Sequence, residues 1–202
     1  MSTVYLLRHG ALARDSRDRF IGQTDLPLAP EGVRQAEALA AALRECAIDG
    51  IYCSDLLRCR QTAAIIAGAT GLAVEARPGL REIALGEWEG LSRREVAARF
   101  PAQYAARGRD LENYRVPGGE SFAECGRRAL AAWAAIHSAG GERVVVVGHA
   151  GLNRLLLCHL LGMPVINMFR LGQDYGCVNV VEPDGACAQV RLLNGRPADL
   201  TG

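Results

Sequence analysis

Residues 4–10 have the sequence V-Y-L-L-R-H-G, an apolar run that ends on a cation, an imidazole and a glycine. The apolar run is short and typical of a β-strand. Ligands of α/β proteins bind just beyond the carboxyl ends of the strands, so His9 lies where chemistry is usually done. Arg8 adds a permanent positive charge, and Gly10 permits a tight turn. The stretch predicts an α/β fold with a functional site at the end of its first strand.

A second histidine follows a second apolar run. Residues 144–147 are four valines, and Gly148 and His149 come directly after them. If both strands end at the same edge of one sheet, the site contains two imidazoles and at least one guanidinium. Two histidines placed in this way are a much rarer signal than one.

The rest of the chain alternates between helical and strand patterns, which predicts an α/β three-layer sandwich: a mostly parallel sheet with helices on both faces. We expect a single domain over residues 1–202, in which residues 84–119 have the least regular pattern and fold over the strand ends as a cap. The predicted helices cover residues 30–46, 56–69, 92–100, 121–137 and 151–161, and the predicted strands cover residues 4–7, 50–53, 73–76, 143–147, 176–182 and 188–193.

Composition excludes several classes of protein. Half of the 202 residues are apolar, enough for a substantial core. The 23 basic and 22 acidic residues give a net charge of +1, which argues against a general nucleic-acid-binding protein. No apolar run approaches the ~20 residues of a membrane helix, and the amino terminus lacks a signal-peptide pattern.

Cysteine usage and missing motifs set further expectations. The seven cysteines are scattered singly, without a C-x-x-C pair, which favours a reducing, cytoplasmic environment. There is no Cys/His cluster and no glycine-rich nucleotide-binding motif. We therefore expect neither a metal nor another cofactor.

Four blocks of sequence together resemble the histidine phosphatase superfamily, which is also called phosphoglycerate mutase-like. In order along the chain they are L-L-R-H-G (6–10), S-D-L-L-R-C-R-Q-T-A (54–63), L-R-E-I-A-L-G-E-W-E-G (80–90) and V-V-V-V-G-H-A-G (144–151). The resemblance covers nearly the whole chain. It implies a metal-independent hydrolase that forms a phosphohistidine intermediate.

The resemblance implies that His9 is the nucleophile and that Arg8, Arg58 and His149 bind the phosphate. A nucleophilic imidazole must be neutral, and neighbouring arginines disfavour the imidazolium form by like-charge repulsion. The same arginines attract the phosphate. Two residues along a helix turn the side chain by roughly 200°, so only one of Arg58 and Arg60 is expected to face the site. By resemblance it is Arg58.

Glu82 is the candidate proton donor to the leaving oxygen, as the resemblance implies for the glutamate two residues after Leu80. A carboxylic acid in this role must be protonated when the substrate is bound. Glu87 and Glu89 are rivals, which we expect to make structural bonds in the G-E-W-E-G turn. His137 and His159 lie within helical patterns and are interpreted as structural.

One departure from the family pattern concerns residues 11–15. Many members continue after Arg-His-Gly with Glu-Thr or Glu-Ser, and have a phosphate-binding asparagine near position 15. Here Ala11, Leu12 and Asp15 occupy this region. An aspartate repels phosphate, so we expect Asp15 to point away and Gln23 or Thr24 to supply the missing donor.

Three functions from two classes fit these residues. The first is a phosphomonoesterase, the second a phosphoglycerate mutase, and the third a non-catalytic module that binds a phosphorylated ligand. Mutases of the family are longer, so this compact chain and its G-E-W-E-G segment favour the phosphatase. The presence of all five key residues argues against the non-catalytic module.

The carboxyl-terminal part of the chain adds a resemblance that bears on the substrate. The segments L-G-M-P (161–164), M-F-R (168–170) and Q-D-Y-G-C (173–177) are similar to those of alpha-ribazole phosphatases of cobalamin biosynthesis. Sugar phosphates, phosphoglycerate and a bisphosphate are the alternative substrates. We expect a small phosphorylated substrate and no nucleic-acid or membrane partner, with the apolar final strands as an edge at which a homodimer could form.

Overall fold

The computed structural model describes residues 3–13, 18–184 and 187–200. Asp15, which we expected to point away from the phosphate, lies outside these ranges. So does Gly185 between the last two predicted strands, where the sequence Pro183-Asp184-Gly185 is typical of a turn. The described residues form six strands and six α-helices, in this order: β1 Thr3–Arg8, α1 Pro30–Leu43, β2 Gly50–Cys53, α2 Leu57–Thr70, β3 Val74–Ala76, α3 Arg93–Arg99, α4 Pro101–Arg109, α5 Phe122–Ser138, β4 Arg143–Gly148, α6 Ala150–Leu160, β5 Val178–Asp184 and β6 Cys187–Gly195.

All six strands form one sheet in the order β3-β2-β4-β1-β5-β6. Strands β3, β2, β4 and β1 run parallel, β5 is antiparallel to β1, and β6 is antiparallel to β5. The predicted mostly parallel α/β sheet is therefore confirmed, with an antiparallel pair at one edge. In the register of β1 and β4, Arg8 lies opposite Gly148, so the two strands end together.

Two hydrophobic cores lie on opposite faces of the sheet. The valines of β4 alternate between them: Val144 and Val146 belong to the core under α5 and α6, and Val145 and Val147 to the core under α1 and α2. All four are at most 3% exposed. A strand that is buried on both faces explains why the sequence here is apolar without alternation.

The segment expected to be least regular contains two helices. Our predicted helix over residues 92–100 ends at Arg99, and Pro101 begins a second helix, α4, at its first position. Proline stops a preceding helix but suits the first turn of the next, because that turn needs no N–H from it. Helix α5 begins with a capping box, in which Ser121 and Glu124 each accept the other's backbone N–H.

No helix in the described part of the chain is long and apolar enough to cross a membrane.

The amino terminus of α1 lies directly against the turn that follows β1. A Cβ at Gly32 would lie 2.2 Å from the carbonyl oxygen of Ala11, and a Cβ at Gly10 would lie 2.3 Å from the carbonyl oxygen of Gly32. Both contacts are with backbone atoms, which cannot move without moving the turn after His9. The close approach requires glycine at both positions.

We expect Gly32→Ala to destabilise the protein by about 1–3 kcal/mol, because the added methyl group overpacks a backbone contact. The control is Gly68→Ala in α2, where a Cβ has open space; it should stabilise by about 0.8–1 kcal/mol, the usual difference between glycine and alanine within a helix. The midpoints of urea unfolding measure both changes. Equal midpoints for the two variants would contradict the close approach.

Candidate active site

His9 and His149 meet at the common end of β1 and β4. Their ring centroids are 5.2 Å apart, in an edge-to-face arrangement. The backbone N–H of His9 donates to the carbonyl of Gly148 over 3.1 Å, which continues the strand pairing into the site. His9 is 4% exposed and His149 is fully buried. The structure thus brings together the two histidines that the sequence places 140 residues apart.

The hydrogen bonding of His9 determines which ring nitrogen is free. Nδ1 lies 2.8 Å from the carbonyl oxygen of Gly10, and a carbonyl only accepts, so Nδ1 carries the proton and Nε2 keeps its lone pair. Burial first, and then the charges of Arg58 and Arg8, hold the pKa of His9 well below its usual value. The imidazole is therefore neutral with a free Nε2, which is what a nucleophile requires.

His149 has the opposite tautomer. Its Nδ1 accepts a hydrogen bond from Nε of Arg58 over 3.2 Å, so the proton is on Nε2. Burial first, and then the neighbouring charges led by Arg58, lower its pKa well below the usual value. The Cys59 sulfur lies 3.4 Å from Nε2, and burial raises the pKa of this thiol, which stays neutral. His149 contacts Arg58 and Cys59 inside the protein and is not among the residues that line the cavity.

Arg8 lines the cavity and is held from one side. Its Nη1 donates to the main-chain oxygen of Gln173 over 2.5 Å, and its guanidinium carbon lies 3.6 Å from the ring centroid of Tyr175. Its Nε is buried and has no hydrogen-bond partner among the described residues. A buried N–H without an acceptor is costly, and a phosphate oxygen would supply one.

Arg58 is 1% exposed and lines the cavity, whereas Arg60 points outward on the other side of α2. Arg58 donates to the carbonyls of Thr24 (2.8 Å) and Gly22 (2.7 Å) as well as to His149. A guanidinium has five N–H groups, so three are used here and two are left. Arg58 can therefore fix the loop over residues 22–24 and bind a phosphate at the same time.

Glu82 faces the cavity while it caps helix α6. Its two carboxylate oxygens accept the backbone N–H groups of Gly151 (2.9 Å) and Leu152 (3.0 Å). Gly151 allows this approach, because a Cβ there would lie 2.5 Å from Oε1 of Glu82. A carboxylate at a helix amino terminus is favoured by the unpaired amides and by the helix dipole.

The side chains of Gln23 and Thr24 are bonded within the protein. Gln23 donates from Nε2 to the main-chain oxygen of Glu82 (3.0 Å), and Thr24 donates from Oγ1 to Glu89 (3.0 Å). Neither residue is among those that line the cavity. Their role in binding the substrate stays a prediction. Glu89 makes structural bonds, since it also accepts the N–H groups of Gln23 and Leu85.

The cavity has a volume of about 730 Å³ and is strongly cationic. Glu82 is the one acidic residue among its described lining residues. Four of its arginines were not predicted from the sequence. Of these, only Arg154 could have been found there, because it lies one helical turn after Gly151 on the helix that follows His149. The six arginines that line the cavity are Arg8, Arg19, Arg58, Arg93, Arg107 and Arg154.

Arg107 of α4 is surrounded by aromatic rings. Its guanidinium carbon lies 5.0 Å from the ring centroid of Phe122, 5.5 Å from that of Trp88 and 5.8 Å from that of Phe20. Burial lowers its pKa. Within residues 3–13, 18–184 and 187–200, no group of three or more His, Cys, Asp or Glu side chains could hold a metal ion.

Comparisons with known proteins agree on one family. The family model described as histidine phosphatase superfamily (branch 1) matches residues 4–196. An adenosylcobalamin/alpha-ribazole phosphatase of Escherichia coli K12 is 28% identical over 96% of each chain. A probable phosphoglycerate mutase of Yersinia pestis is 38% identical over 81% of this chain and 77% of its own. The crystal structure of a putative alpha-ribazole-5'-P phosphatase from Escherichia coli has a TM-score of 0.89 at 28% identity, covering 96% of this chain and 97% of that one.

We expect Arg58→Ala to damage activity on a phosphorylated substrate far more than Arg60→Ala. A charge-assisted hydrogen bond contributes about 1.5–3 kcal/mol, so kcat/KM should fall by roughly tenfold to over a hundredfold. Arg60→Ala is the matched control on the outer face of the same helix. Equal losses at both positions would mean that Arg58 only supports the structure.

Stability should depend on pH through the two buried histidines. Their folded-state pKa values lie below the usual 6.5, so the unfolded chain takes up protons that the folded protein does not. The free energy of unfolding is therefore highest above pH ~6.5. It falls as the pH drops below that value, by up to about 1.4 kcal/mol per pH unit for each histidine.

Urea unfolding between pH 5 and 7 measures this slope. His9→Gln should reduce it by up to one proton's worth, or ~1.4 kcal/mol per pH unit, at the acid end of this range, and by less near pH 7. His159→Gln is the matched control, since its side chain is exposed on α6. An unchanged slope in His9→Gln would show that His9 is not held neutral by the fold.

Proposed function

Since the chain belongs to the histidine phosphatase superfamily, we propose that it is a phosphomonoesterase that hydrolyses a small phosphorylated metabolite through a phosphohistidine on His9. The observation that carries this proposal is the neutral His9 with a free Nε2, which lines the cavity between Arg8 and Arg58. Such a ring is a nucleophile, and the two guanidinium groups bind the group that it attacks.

The first step forms a bond between Nε2 of His9 and phosphorus, and breaks the bond between phosphorus and the leaving oxygen. The proton stays on Nδ1, where it is hydrogen-bonded to the carbonyl of Gly10, and this hydrogen bond stabilises the positive charge that the ring gains. In the second step water attacks phosphorus, the P–N bond breaks, and inorganic phosphate leaves. Arg8 and Arg58 stabilise the charge on the equatorial oxygens, and His149 supports Arg58 by accepting a hydrogen bond from its Nε.

Glu82 is proposed as the proton donor to the leaving oxygen in the first step and as the acceptor of the water's proton in the second. It is the one carboxyl group among the described residues that line the cavity. A proton donor must reach the leaving oxygen, so position in the cavity favours Glu82 over Glu87 and Glu89. Glu89 is already committed to the loop over residues 22–24.

Alpha-ribazole 5′-phosphate is the first substrate candidate, which would place the enzyme in cobalamin biosynthesis. The cavity wall opposite the strand ends is rich in apolar and aromatic side chains, as a leaving group with an aromatic base requires. Two of the relatives above are named for this activity. The wall includes Phe20, Leu85, Tyr104, Leu111, Phe122 and Phe169.

A phosphorylated carboxylic acid is the second substrate candidate. It is also the kind of substrate that the phosphoglycerate mutase alternative requires. The guanidinium groups of Arg93 and Arg107 line the same cavity, and no residue in the described ranges accepts a hydrogen bond from either. An acid group on the substrate would pair with them. The relative named as a probable phosphoglycerate mutase acts, by its name, on such a compound.

Location and assembly stay predictions from the sequence. The scattered cysteines favour the cytoplasm. Six of them are free thiols: Cys46, Cys53, Cys59, Cys125, Cys158 and Cys177. A homodimer through the final strands is likewise a prediction. The cap is proposed to be the part of residues 84–119 that lines the cavity, of which Leu85, Tyr104 and Leu111 are examples.

A substrate panel tests the proposed reaction. In EDTA, wild type should hydrolyse at least one of alpha-ribazole 5′-phosphate, 3-phosphoglycerate and a sugar phosphate, and His9→Ala should lose turnover while it keeps its fold. Rapid quench with a labelled substrate should trap an acid-labile phosphoenzyme in wild type only. Turnover by His9→Ala, or a strict need for a metal, would refute the mechanism. Hydrolysis of 3-phosphoglycerate, with loss of this activity in Arg107→Leu, would favour the second candidate.

Glu82→Gln should slow substrates according to their leaving groups. An alkyl phosphate leaves as a strongly basic alkoxide and needs a proton, whereas p-nitrophenolate is a weak base and needs none. The variant should therefore lose much more rate on a ribose 5′-phosphate ester than on p-nitrophenyl phosphate. The ratio of the two losses is the measurement, because damage to the cap of α6 lowers both rates alike. When chemistry limits both substrates, equal losses would remove Glu82 as the proton donor.

A further inference from the structure

The guanidinium of Arg8 is held by a segment 165 residues away in sequence. Residues 173–175 provide two contacts of different kinds. The main-chain oxygen of Gln173 accepts a hydrogen bond from Nη1 of Arg8. The guanidinium carbon of Arg8 lies over the ring of Tyr175, 3.6 Å from the ring centroid. These contacts occupy one edge and one face of the guanidinium.

Three buried amide side chains hold this segment in place. Oε1 of Gln173 accepts from Nδ2 of Asn153 (3.2 Å) and from Nδ2 of Asn179 (3.1 Å), and its Nε2 donates to Oδ1 of Asn179 over 2.7 Å. All three residues are at most 3% exposed. We call Asn153, Gln173 and Asn179 the amide triad.

The amide triad is bonded in turn to the strand that carries Arg8. Asn179 donates to the carbonyl of Leu6 over 2.8 Å, and Asn153 donates to the carbonyl of Leu7 over 3.1 Å. A backbone hydrogen bond also joins the two segments directly: the N–H of Gly176, which follows Tyr175, donates to the carbonyl of His9, which follows Arg8, over 3.2 Å. The end of β1 and the segment over residues 173–176 therefore form one hydrogen-bonded unit.

An arginine side chain has many rotamers, and ordering it when a ligand binds weakens the binding. A guanidinium that is already fixed by a ring face and a carbonyl avoids this loss, which is the effect of preorganisation. The Nε of Arg8, which has no partner in the described part of the chain, is left for the ligand.

We propose that Tyr175 is a positioning residue, whose ring holds the Arg8 guanidinium ready for the phosphate, and that the amide triad fixes Tyr175 in that place. The proposal rests on the proposed function only for its kinetic readout, since phosphate binding tests it without turnover. Tyr175 also lies 5.5 Å from the ring of His9 and lines the cavity, so a direct action on the histidine or on the substrate is the competing explanation.

A double-mutant cycle separates these explanations. The dissociation constant of inorganic phosphate, from titration calorimetry, and kcat/KM on p-nitrophenyl phosphate are measured for wild type, Tyr175→Ala, Arg8→Ala and the double variant. A cation–π contact predicts that Tyr175→Ala weakens phosphate binding by about two- to thirtyfold. In the Arg8→Ala background the same change should have almost no effect, because the group that Tyr175 positions is gone.

Tyr175→Phe keeps the ring and should recover most of the binding that Tyr175→Ala loses. Gln173→Met removes the amide, and its loss should also depend on the presence of Arg8. If Gln173→Met fails to fold, the Tyr175 cycle still decides the matter. Losses that multiply in the double variant would overturn the proposal, because Tyr175 would then act independently of Arg8.

The two proposals fail in different ways. An active phosphatase without coupling between Tyr175 and Arg8 would refute the positioning role alone. A protein that hydrolyses none of the phosphomonoesters, but whose phosphate binding shows the coupling, would refute the proposed function and leave the positioning role intact.

Discussion

The parallel pairing of β1 with β4 is the constraint on which the rest of the site depends. Its register sets Arg8 opposite Gly148, and so puts the histidine that follows each residue at the same edge of the sheet. The pairing is kept in register by apolar side chains that are buried on both faces of β4, since a slip would break the packing of both cores. The packing of the two hydrophobic cores therefore determines where the two histidines lie relative to each other.

Burial at this strand edge also determines the charge state of the site. Both imidazoles lie away from water and beside arginines, and these two influences act in the same direction to keep the rings neutral. The opposite tautomers then follow from fixed partners, a carbonyl for His9 and Nε of Arg58 for His149. One arrangement thus places a neutral imidazole with a free Nε2 within a cationic cavity.

Strand ends and helix faces could be predicted from the sequence, because apolar runs and the pitch of a helix follow from local spacing. The positions of His9 and His149 are of this kind. The pitch of α2 predicted that only one of Arg58 and Arg60 faces the site, and the family resemblance selected Arg58. Helix α4 was missed because Pro101 signals the end of one helix and the start of another equally well. Arg93 and Arg107 were missed because local spacing does not say how residues 84–119 fold back over the sheet. A family resemblance likewise names residues without giving their contacts: the carbonyl of Thr24 faces Arg58, while its hydroxyl bonds to Glu89.

The separate origins of the two halves of the cavity have an evolutionary consequence. The groups proposed for phosphoryl transfer come from β1, α2, the turn after β3 and the start of α6, whereas much of the opposite wall comes from residues 84–119. Substitutions in that wall can change which leaving group fits without moving His9 or the arginines that we propose bind the phosphate. New specificities can therefore arise by drift in one segment under constant selection on the other.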